Sequence, residues 1–188
     1  GIGGSHIVIP WFGYFRPKEK RDFVRGFQIE PSVRQRMRPD KNPKSTPGFG
    51  ADWKKEVRRW QGPRVSLACH GEMLASPKKF VELDPGVKDK WGIPALHIDV
   101  TYGPNEERVY QAMQDEAVRM LDAAGVKDIE PFRQEGVYPG LVIHEMGGAR
   151  MSKTAQDGVL NSWNQAWDVP NLFVTDGACM ASSANQNP

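Results

Sequence analysis

His144, a histidine set among glycines, is the residue best suited to do chemistry in this chain of 188 residues. It follows the apolar run 141–143 and stands shortly before Gly147 and Gly148. Imidazole changes protonation near neutral pH and so suits general acid–base work. Small residues beside it would let a flat or bulky molecule approach the backbone. A core histidine beside a tight turn is the alternative that this pattern leaves open.

A second suggestive stretch is NLFVTDGA, residues 171–178. The apolar run that ends in Asp176 and Gly177 predicts a buried strand followed by a turn, and ligands collect at the carboxyl ends of such strands in open α/β sheets. Asn187 and Pro188 then fit the cap and first turn of a helix. Because a helix N-terminus offers unpaired N–H groups and a positive dipole end, it suits an anionic partner; an ordinary loop and cap is the alternative.

The elements that would position these residues begin with strands. Apolar and β-branched runs predict strands at 6–10, 23–29, 64–74, 79–83 and 95–102. Gly71 suggests a bulge or a close backbone approach, and residues 84–86 (DPG) predict a turn that ends the fourth strand. In the last strand Leu96 and Ile98 face one way while His97 and Asp99 face the other, as expected for an antiparallel sheet.

Two helices and a long loop complete the predicted layout. Helical spacing predicts helices at 52–60 and 105–124, the second capped by Asn105 and ended by Gly125. Residues 31–50 are rich in Pro, Lys, Arg and Gly and predict a long loop. The fold class is therefore α+β, an antiparallel sheet backed by helices.

Composition excludes several classes of function. The net charge is +2, and the Lys/Arg-rich part, roughly 16–64, is interleaved with acids, which favours a solvated surface over a nucleic-acid site. No apolar run reaches the length of a membrane span. Cys69 and Cys179 fit no metal or redox spacing, so we expect no metal site and two free thiols, with a disulfide as the alternative.

Three motifs in fixed order carry a resemblance to a known family. They are H-x-M-G-G-A-R-M at 144–151, D-V-P-N-L-F-V-T-D-G at 168–177, and N-P at 187–188. This order resembles the C-terminal segment of the glucose–methanol–choline (GMC) family of FAD-dependent oxidoreductases. Residues 71–94 also look like the strands that precede the helix of that family's substrate domain. Asn187 followed by Pro188 is most similar to the branch with pyranose oxidases and sugar or gluconate dehydrogenases.

The resemblance implies FAD-dependent oxidation of an alcohol group of a sugar, glycoside, polyol or sugar acid to a carbonyl, with hydride passing to flavin N5. It implies that His144 is the general base and that Asn187 holds the same hydroxyl. It implies cofactor contacts from Asp176, Gly177, Asn187 and Pro188. An amide does not titrate, so Asn187 is not the base.

Three further residues are candidates for the substrate side of the site. His97 and Asp99 lie on the polar face of the predicted sheet, where a solvated surface is the alternative. Asn185 competes with Asn187 for the second polar role, and Asn187 is favoured because it stands at the predicted helix cap.

The resemblance also implies how the chain is divided. Residues 1–140 would form the substrate-binding domain, and residues 141–188 would form a catalytic segment that returns to a Rossmann-type FAD domain. No G-x-G-x-x-G opens a βαβ unit here, so we expect a fragment of a longer polypeptide, cut before its last helix, with most of the FAD site elsewhere.

The expected partners are a carbohydrate or polyol substrate and the FAD-binding part of the same polypeptide. The electron acceptor for the reduced flavin would be oxygen, a haem or cytochrome, or a small accessory subunit. Family analogy favours a periplasmic or exported location. The alternative is a cofactor-free carbohydrate-binding or accessory module without catalysis.

Overall fold

The computed structural model describes residues 7–10, 20–35, 48–59, 63–133, 138–139 and 143–182. In chain order the elements are β1 (Ile9–Pro10), β2 (Phe27–Gln35), α1 (Gly50–Arg59), β3 (Pro63–Gly71), β4 (Phe80–Lys88), β5 (Pro94–Asp99) and α2 (Pro104–Ala123), followed by a 3-10 helix at Gly177–Cys179. Both described sheets are antiparallel, which confirms the predicted α+β class.

The main sheet has the order β1-β2-β3, and α2 packs against it. Phe27 and Ile29 from β2 meet Val109 and Met113 from α2, and these four side chains are almost fully buried. A Cβ on Gly71 of β3 would lie only 2.8 Å from Cγ1 of Val109. The close approach predicted at Gly71 is therefore confirmed, and its cause is the helix on the sheet.

The sequence misplaced β2. The strand predicted at 23–29 begins four residues later, and it continues through Pro31, which had been assigned to a loop spanning 31–50. Pro31 pairs with Leu67 of β3. It lies past the end of the two-residue strand β1, where no described residue pairs with it on that side, so the missing N–H of proline leaves no described ladder bond unmade. Residues 36–47 of the predicted loop lie outside the described residues.

The predicted turn at 84–86 is also wrong. β4 runs on to Lys88, and Asp84 Oδ1 accepts the N–H groups of Gly86 and Val87 at 2.8 and 3.1 Å, so this tripeptide is an irregularity within the strand. The actual reversal follows Asp89, whose Oδ1 accepts the N–H groups of Trp91 and Ile93. The apolar face of the β4–β5 hairpin is solvent-exposed.

Helix α2 confirms the predicted long helix, but its first turn is built differently. The N-cap is Gly103, and Asn105 lies inside the helix. The Asn105 side chain instead accepts the N–H of Val24 at 2.9 Å and donates to its carbonyl at 3.2 Å. The cap is supplied by Glu106, whose carboxylate accepts the N–H of Gly103 at 2.7 Å. Gly125, with φ 73°, follows the helix as predicted.

Arg133, which follows α2 in the chain, is bonded back to that helix. Its guanidinium donates to both oxygens of Glu107, at 3.1 and 3.2 Å, and lies over the rings of Tyr110 and Tyr102. α1 is joined to the same region by the ion pair between Arg59 and Asp128. These contacts hold the segment that leads toward His144.

Residues 143–182 have little regular structure. Leu160, Ala166 and Cys179 form a small buried cluster, against which Ala149 and Val174 pack. The strand predicted at 171–178 is wrong: this stretch makes one isolated bridge, from Phe173 to Gln165, and no other strand within the described residues pairs along its length. Cys69 and Cys179 are free thiols, as expected. None of the helices formed by the described residues is long and apolar enough to cross a membrane.

Candidate active site

His144 lies in the wall of a surface cleft of about 340 Å³. That volume falls in the lower part of the range for small-molecule sites, which is roughly 300–1,000 Å³. Two stretches of the chain, 143–146 and 175–180, meet there. The lining residues are Ile143, His144, Glu145, Met146, Thr175, Asp176, Gly177 and Met180. The cleft therefore joins the two motifs that the sequence analysis singled out.

A short backbone ladder holds these stretches together. Gly147 N donates to Gly177 O at 3.1 Å, and two further bonds follow at Ala149 and Met151, whose N–H groups donate to the carbonyls of Ala178 and Cys179 at 3.1 and 2.9 Å. Because backbone hydrogen bonds fix both partners, the segment after His144 and the 3-10 helix form one structural unit.

The glycines after His144 are required by backbone conformation. Gly147 and Gly148 have φ angles of 89° and 98°. A side chain is strained in that region of φ, and glycine is not. The two residues turn the chain out of the cleft and bring Ala149 into the ladder. The two glycines are therefore needed for the conformation of the protein's own backbone. The sequence alone had indicated only that a partner could approach them closely.

Asp176 organises the opposite wall. Its backbone is extended, and its Oδ1 accepts the N–H of Ala178 at 2.9 Å, which caps the 3-10 helix. The helix closes through Met180, whose N–H donates to Gly177 O at 3.2 Å. One carboxylate oxygen of Asp176 is thus occupied by the protein's own backbone, while the residue as a whole is exposed in the cleft.

Arg150, the charged residue of the first motif, has a structural role. Its guanidinium donates to the carbonyl of Asp157, and its own carbonyl accepts the N–H groups of Val159 and Leu160 at 3.2 and 3.3 Å. These bonds fold the chain back over the buried Leu160. Arg150 therefore supports the floor beneath the ladder and does not line the cleft.

The cleft combines one titratable ring with short polar and soft apolar groups. His144 is half-buried, and Thr175 and Asp176, which carry a hydroxyl and a carboxylate, line the same cleft. Met146 and Met180 supply polarisable thioethers that adapt to a flat ligand. Such a set can accept a proton, hydrogen-bond a hydroxyl and cover an apolar ring. The sequence did not single out Met146, Thr175 or Met180 as site residues, although Met146 and Thr175 stand within the two motifs and Met180 lies three residues beyond the second.

Two other predicted site residues, His97 and Asp99, are not brought to this cleft. His97 and Asp99 lie on the β4–β5 hairpin and are absent from the cleft's lining. His97 instead pairs with Glu82 at 2.9 Å and is half exposed. That hydrogen bond raises the pKa of His97; loss of solvation opposes it, and the charges of Glu82, Asp84 and Asp99 add further to the rise. Asn185, Asn187 and Pro188 lie outside the described residues.

The family model for GMC oxidoreductase matches residues 76–188, which include both walls of the cleft. The chain belongs to the GMC oxidoreductase family. The resemblance seen in the three ordered motifs is thereby confirmed. The GMC match begins within the β3–β4 connection, so it takes in the β4–β5 hairpin and α2 as well as the segment around His144.

Named relatives of this GMC chain act on small hydroxylated molecules. It is 34% identical over 150 residues to the 2-methyl-1,2-propanediol dehydrogenase of Mycolicibacterium austroafricanum, covering 75% of this chain and 26% of that protein. It is 28% identical over 153 residues to the gluconate 2-dehydrogenase flavoprotein of Pantoea cypripedii, covering 78% and 25%. It is 28% identical over 191 residues to the fructose dehydrogenase large subunit of Gluconobacter japonicus, covering 98% and 34%. The matches thus span about a quarter to a third of the relatives' length.

Proposed function

We propose that this chain supplies the general base and one wall of the active site of a flavin-dependent enzyme that oxidises an alcohol group to a carbonyl. The observation that carries the proposal is the cleft itself, which both His144 and the Thr175–Gly177 turn line in a member of the GMC family. These two stretches are far apart in the sequence, and the backbone ladder keeps them together.

The side chains of the cleft suit FAD as the cofactor. Ile143 is 89% exposed and Met180 is 39% exposed, so an apolar wall stands open beside the base. An apolar ring system would cover that wall, and the Asp176 carboxylate and the Gly177 backbone would meet polar parts of the cofactor. When bound, FAD supplies the acceptor for the hydride that leaves the alcohol carbon.

The chain's own residues would manage the proton. In its neutral form, His144 accepts the proton of the substrate hydroxyl, and it is half-buried, so it stays open to a ligand. Asn187 is proposed to donate a hydrogen bond to the same oxygen and to orient it, since an amide donates without titrating. Pro188 would begin the helix that carries Asn187, with its positive end toward the cofactor.

The relatives' names support a hydroxylated substrate. They are a diol dehydrogenase, a gluconate dehydrogenase and a fructose dehydrogenase. We propose a sugar, polyol or sugar acid for this chain. Two of those relatives are described as a flavoprotein and as a large subunit, which supports a separate subunit or a cytochrome as electron acceptor here. Measuring peroxide formation against cytochrome reduction separates that acceptor from oxygen.

The decisive test is His144→Ala in the complete, flavin-loaded protein. Anaerobic reduction of the flavin by substrate should slow by roughly 10²–10⁴-fold, the usual contribution of a general base. His70→Ala is the matched control, because His70 is an exposed residue of β3 that does not line the cleft. It should leave the reduction rate and the flavin content unchanged.

Two results would count against the proposal. A reduction rate in His144→Ala equal to that of His70→Ala would exclude His144 as the base. A complete protein that binds sugar, holds no flavin and oxidises nothing would favour the accessory-module alternative.

A further inference from the structure

Gln28 is a buried amide on the face of the main sheet that points away from α2. Phe27 and Ile29 pack against α2, and side chains alternate along a strand, so Gln28 lies on the opposite face. The side chains that share this face with it include Glu30, Ser32 and Ser66, and the two serine hydroxyls are 2.7 Å apart. A polar face of this kind suits water or a ligand rich in hydroxyl groups.

The burial of Gln28 is unusual for a residue on a polar face. Only 8% of Gln28 is exposed, whereas 31% of the neighbouring Glu30 side chain is exposed. Nε2 of Gln28 donates to Oε1 of Glu30 at 3.2 Å, but Oε1 of Gln28 has no hydrogen-bond partner among the described residues. Buried side-chain oxygens are rarely left unpaired, because an acceptor that has lost its water without gaining a donor destabilises the folded chain.

The chemistry of Glu30 fixes which atom of the Gln28 amide is unpaired. An ionised carboxylate only accepts hydrogen bonds. If the amide were turned over, its oxygen would face the carboxylate of Glu30, and two acceptors would repel each other. The unpaired atom is therefore the oxygen, and the group that completes the site must be a hydrogen-bond donor. Hydroxyl groups are such donors.

We propose that Oε1 of Gln28 accepts a hydrogen bond from a hydroxyl of the sugar, polyol or sugar acid, at a position other than the alcohol that His144 deprotonates. This inference rests on the proposed function, which supplies the substrate. It makes Gln28 a specificity-determining residue that favours substrates with a second hydroxyl. Because Phe27 and Ile29 fix the strand against α2, the amide is held in place before the substrate binds.

The first measurement is the stability of the complete, flavin-loaded protein without substrate. Gln28→Met keeps the length of the side chain and removes the unpaired oxygen. Glu30→Ala removes the same bond to Nε2 but leaves that oxygen in place, so it is the reference. Gln28→Met should unfold at a higher Tm than Glu30→Ala, since it buries no unsatisfied acceptor. A lower Tm in Gln28→Met would overturn the inference, because it would show that an ordered water or another part of the polypeptide already bonds the oxygen.

The second measurement separates substrate binding from catalysis. The probe is whichever of glucose, gluconate and fructose the complete protein oxidises fastest with an artificial electron acceptor. Gln28→Met should raise KM roughly tenfold and leave kcat near that of wild type, as expected when a bond is equally strong in the bound substrate and in the transition state. One monodeoxy analogue of the probe should show the same rise of KM in wild type and no further rise in Gln28→Met, which identifies the hydroxyl.

Gln111→Met is the matched control for these kinetics. Gln111 is an exposed residue of α2, and its Nε2 donates to Asp115 Oδ1 at 2.8 Å. Its replacement removes an amide of the same type from a position outside the polar face of the sheet. KM and kcat should both equal those of wild type, and a rise of KM as large as that of Gln28→Met would overturn the inference.

Three further results would overturn it. They are an unchanged KM in Gln28→Met, a fall in kcat without a change in KM, and a set of analogues that all respond to Gln28→Met as the parent substrate does. The proposed function fails separately, if wild type oxidises none of the three probes or if His144→Ala reduces the flavin as fast as wild type. A slow His144→Ala together with a normal KM in Gln28→Met rejects the role of Gln28 alone.

Discussion

Glu106 and Lys79 form an ion pair at 3.4 Å, with only 9% and 13% of their side chains exposed. The same carboxylate accepts the N–H groups of Leu74 at 2.8 Å and Gly103 at 2.7 Å. Lys79 in turn donates to the carbonyl of Leu74 at 2.9 Å. This network ties the β3–β4 connection to the start of α2. Burial alone would raise the pKa of Glu106, but the backbone donors and the Lys79 charge outweigh it and hold that pKa below its usual value.

Replacing Glu106 should therefore destabilise the protein in a pH-dependent way. Glu106→Gln leaves one buried N–H without a carboxylate and should cost about 1–3 kcal/mol of unfolding free energy at pH 7. A depressed pKa gives stability that is present above the unfolded pKa and lost as pH falls through the folded pKa. The difference between variant and wild type should shrink below roughly pH 4 in urea denaturation.

The control for that experiment is Glu116→Gln on the same helix. Glu116 pairs with Arg119, whose side chain is 76% exposed, and such surface pairs contribute about 0–1 kcal/mol. Equal losses of unfolding free energy in the two variants would show that the Glu106 network stabilises the protein no more than a surface ion pair does.

The hairpin histidine should titrate above its ordinary range. Since Glu82 raises the pKa of His97, NMR titration of the His97 ring should give a value above the usual ~6.5, and Glu82→Gln should return it toward that value. A raised pKa gives stability that is full below the unfolded pKa and lost as pH rises through the folded pKa. An unchanged titration in Glu82→Gln would mean that the 2.9 Å contact does not persist in solution.

Asp176 should serve two tasks that its variants separate. Asp176→Ala removes the acceptor for Ala178 N–H and should cost about 1 kcal/mol, as for a lost helix cap. Asp176→Asn keeps an oxygen for that bond and should unfold at nearly the wild-type Tm. If the free carboxylate oxygen also holds FAD, the asparagine variant should purify with less flavin. Full flavin content in Asp176→Asn would show that capping accounts for the residue.

The two C-terminal asparagines should differ in effect. Asn187→Ala should slow substrate-dependent flavin reduction by roughly tenfold or more, in line with loss of a hydrogen bond to a charged oxygen worth about 1.5–3 kcal/mol. Asn185→Ala should leave that rate near normal and serves as the matched control. A reversed order of the two rates would move the second polar role to Asn185.

The fold was predictable where a local pattern and the tertiary contacts agree. The buried stripe of α2, with Val109 and Met113, and the end of the helix at Gly125 could be predicted directly from the sequence. The start of α2 could not be predicted. Asn105 is a residue type that often caps helices, but its amide is bonded to Val24, far away in the sequence. The DPG tripeptide was wrongly predicted to end β4 for a similar reason. Pairing with β5 continues to Lys88, so β4 extends beyond the tripeptide.

Part of the cleft's lining could be predicted from the sequence, but its arrangement could not. The motifs indicated His144, Asp176 and Gly177, and the structure brings all three to one cleft. The ladder between the two motifs could not be predicted from the sequence. Its bonds join backbone groups, which every residue type except proline supplies.

The segment between Met151 and Val174 contributes no residue to the cleft, and the ladder lies beside both of its ends. Its outer part can therefore change in length without shifting the cleft residues. Ala155 and Gln156 form an exposed turn within it, closed by the bond from Asp157 N–H to Thr154 O. Inserted residues there would extend into solvent at a small entropic cost. This turn is therefore a position where a partner-binding loop can be inserted while the cleft stays intact.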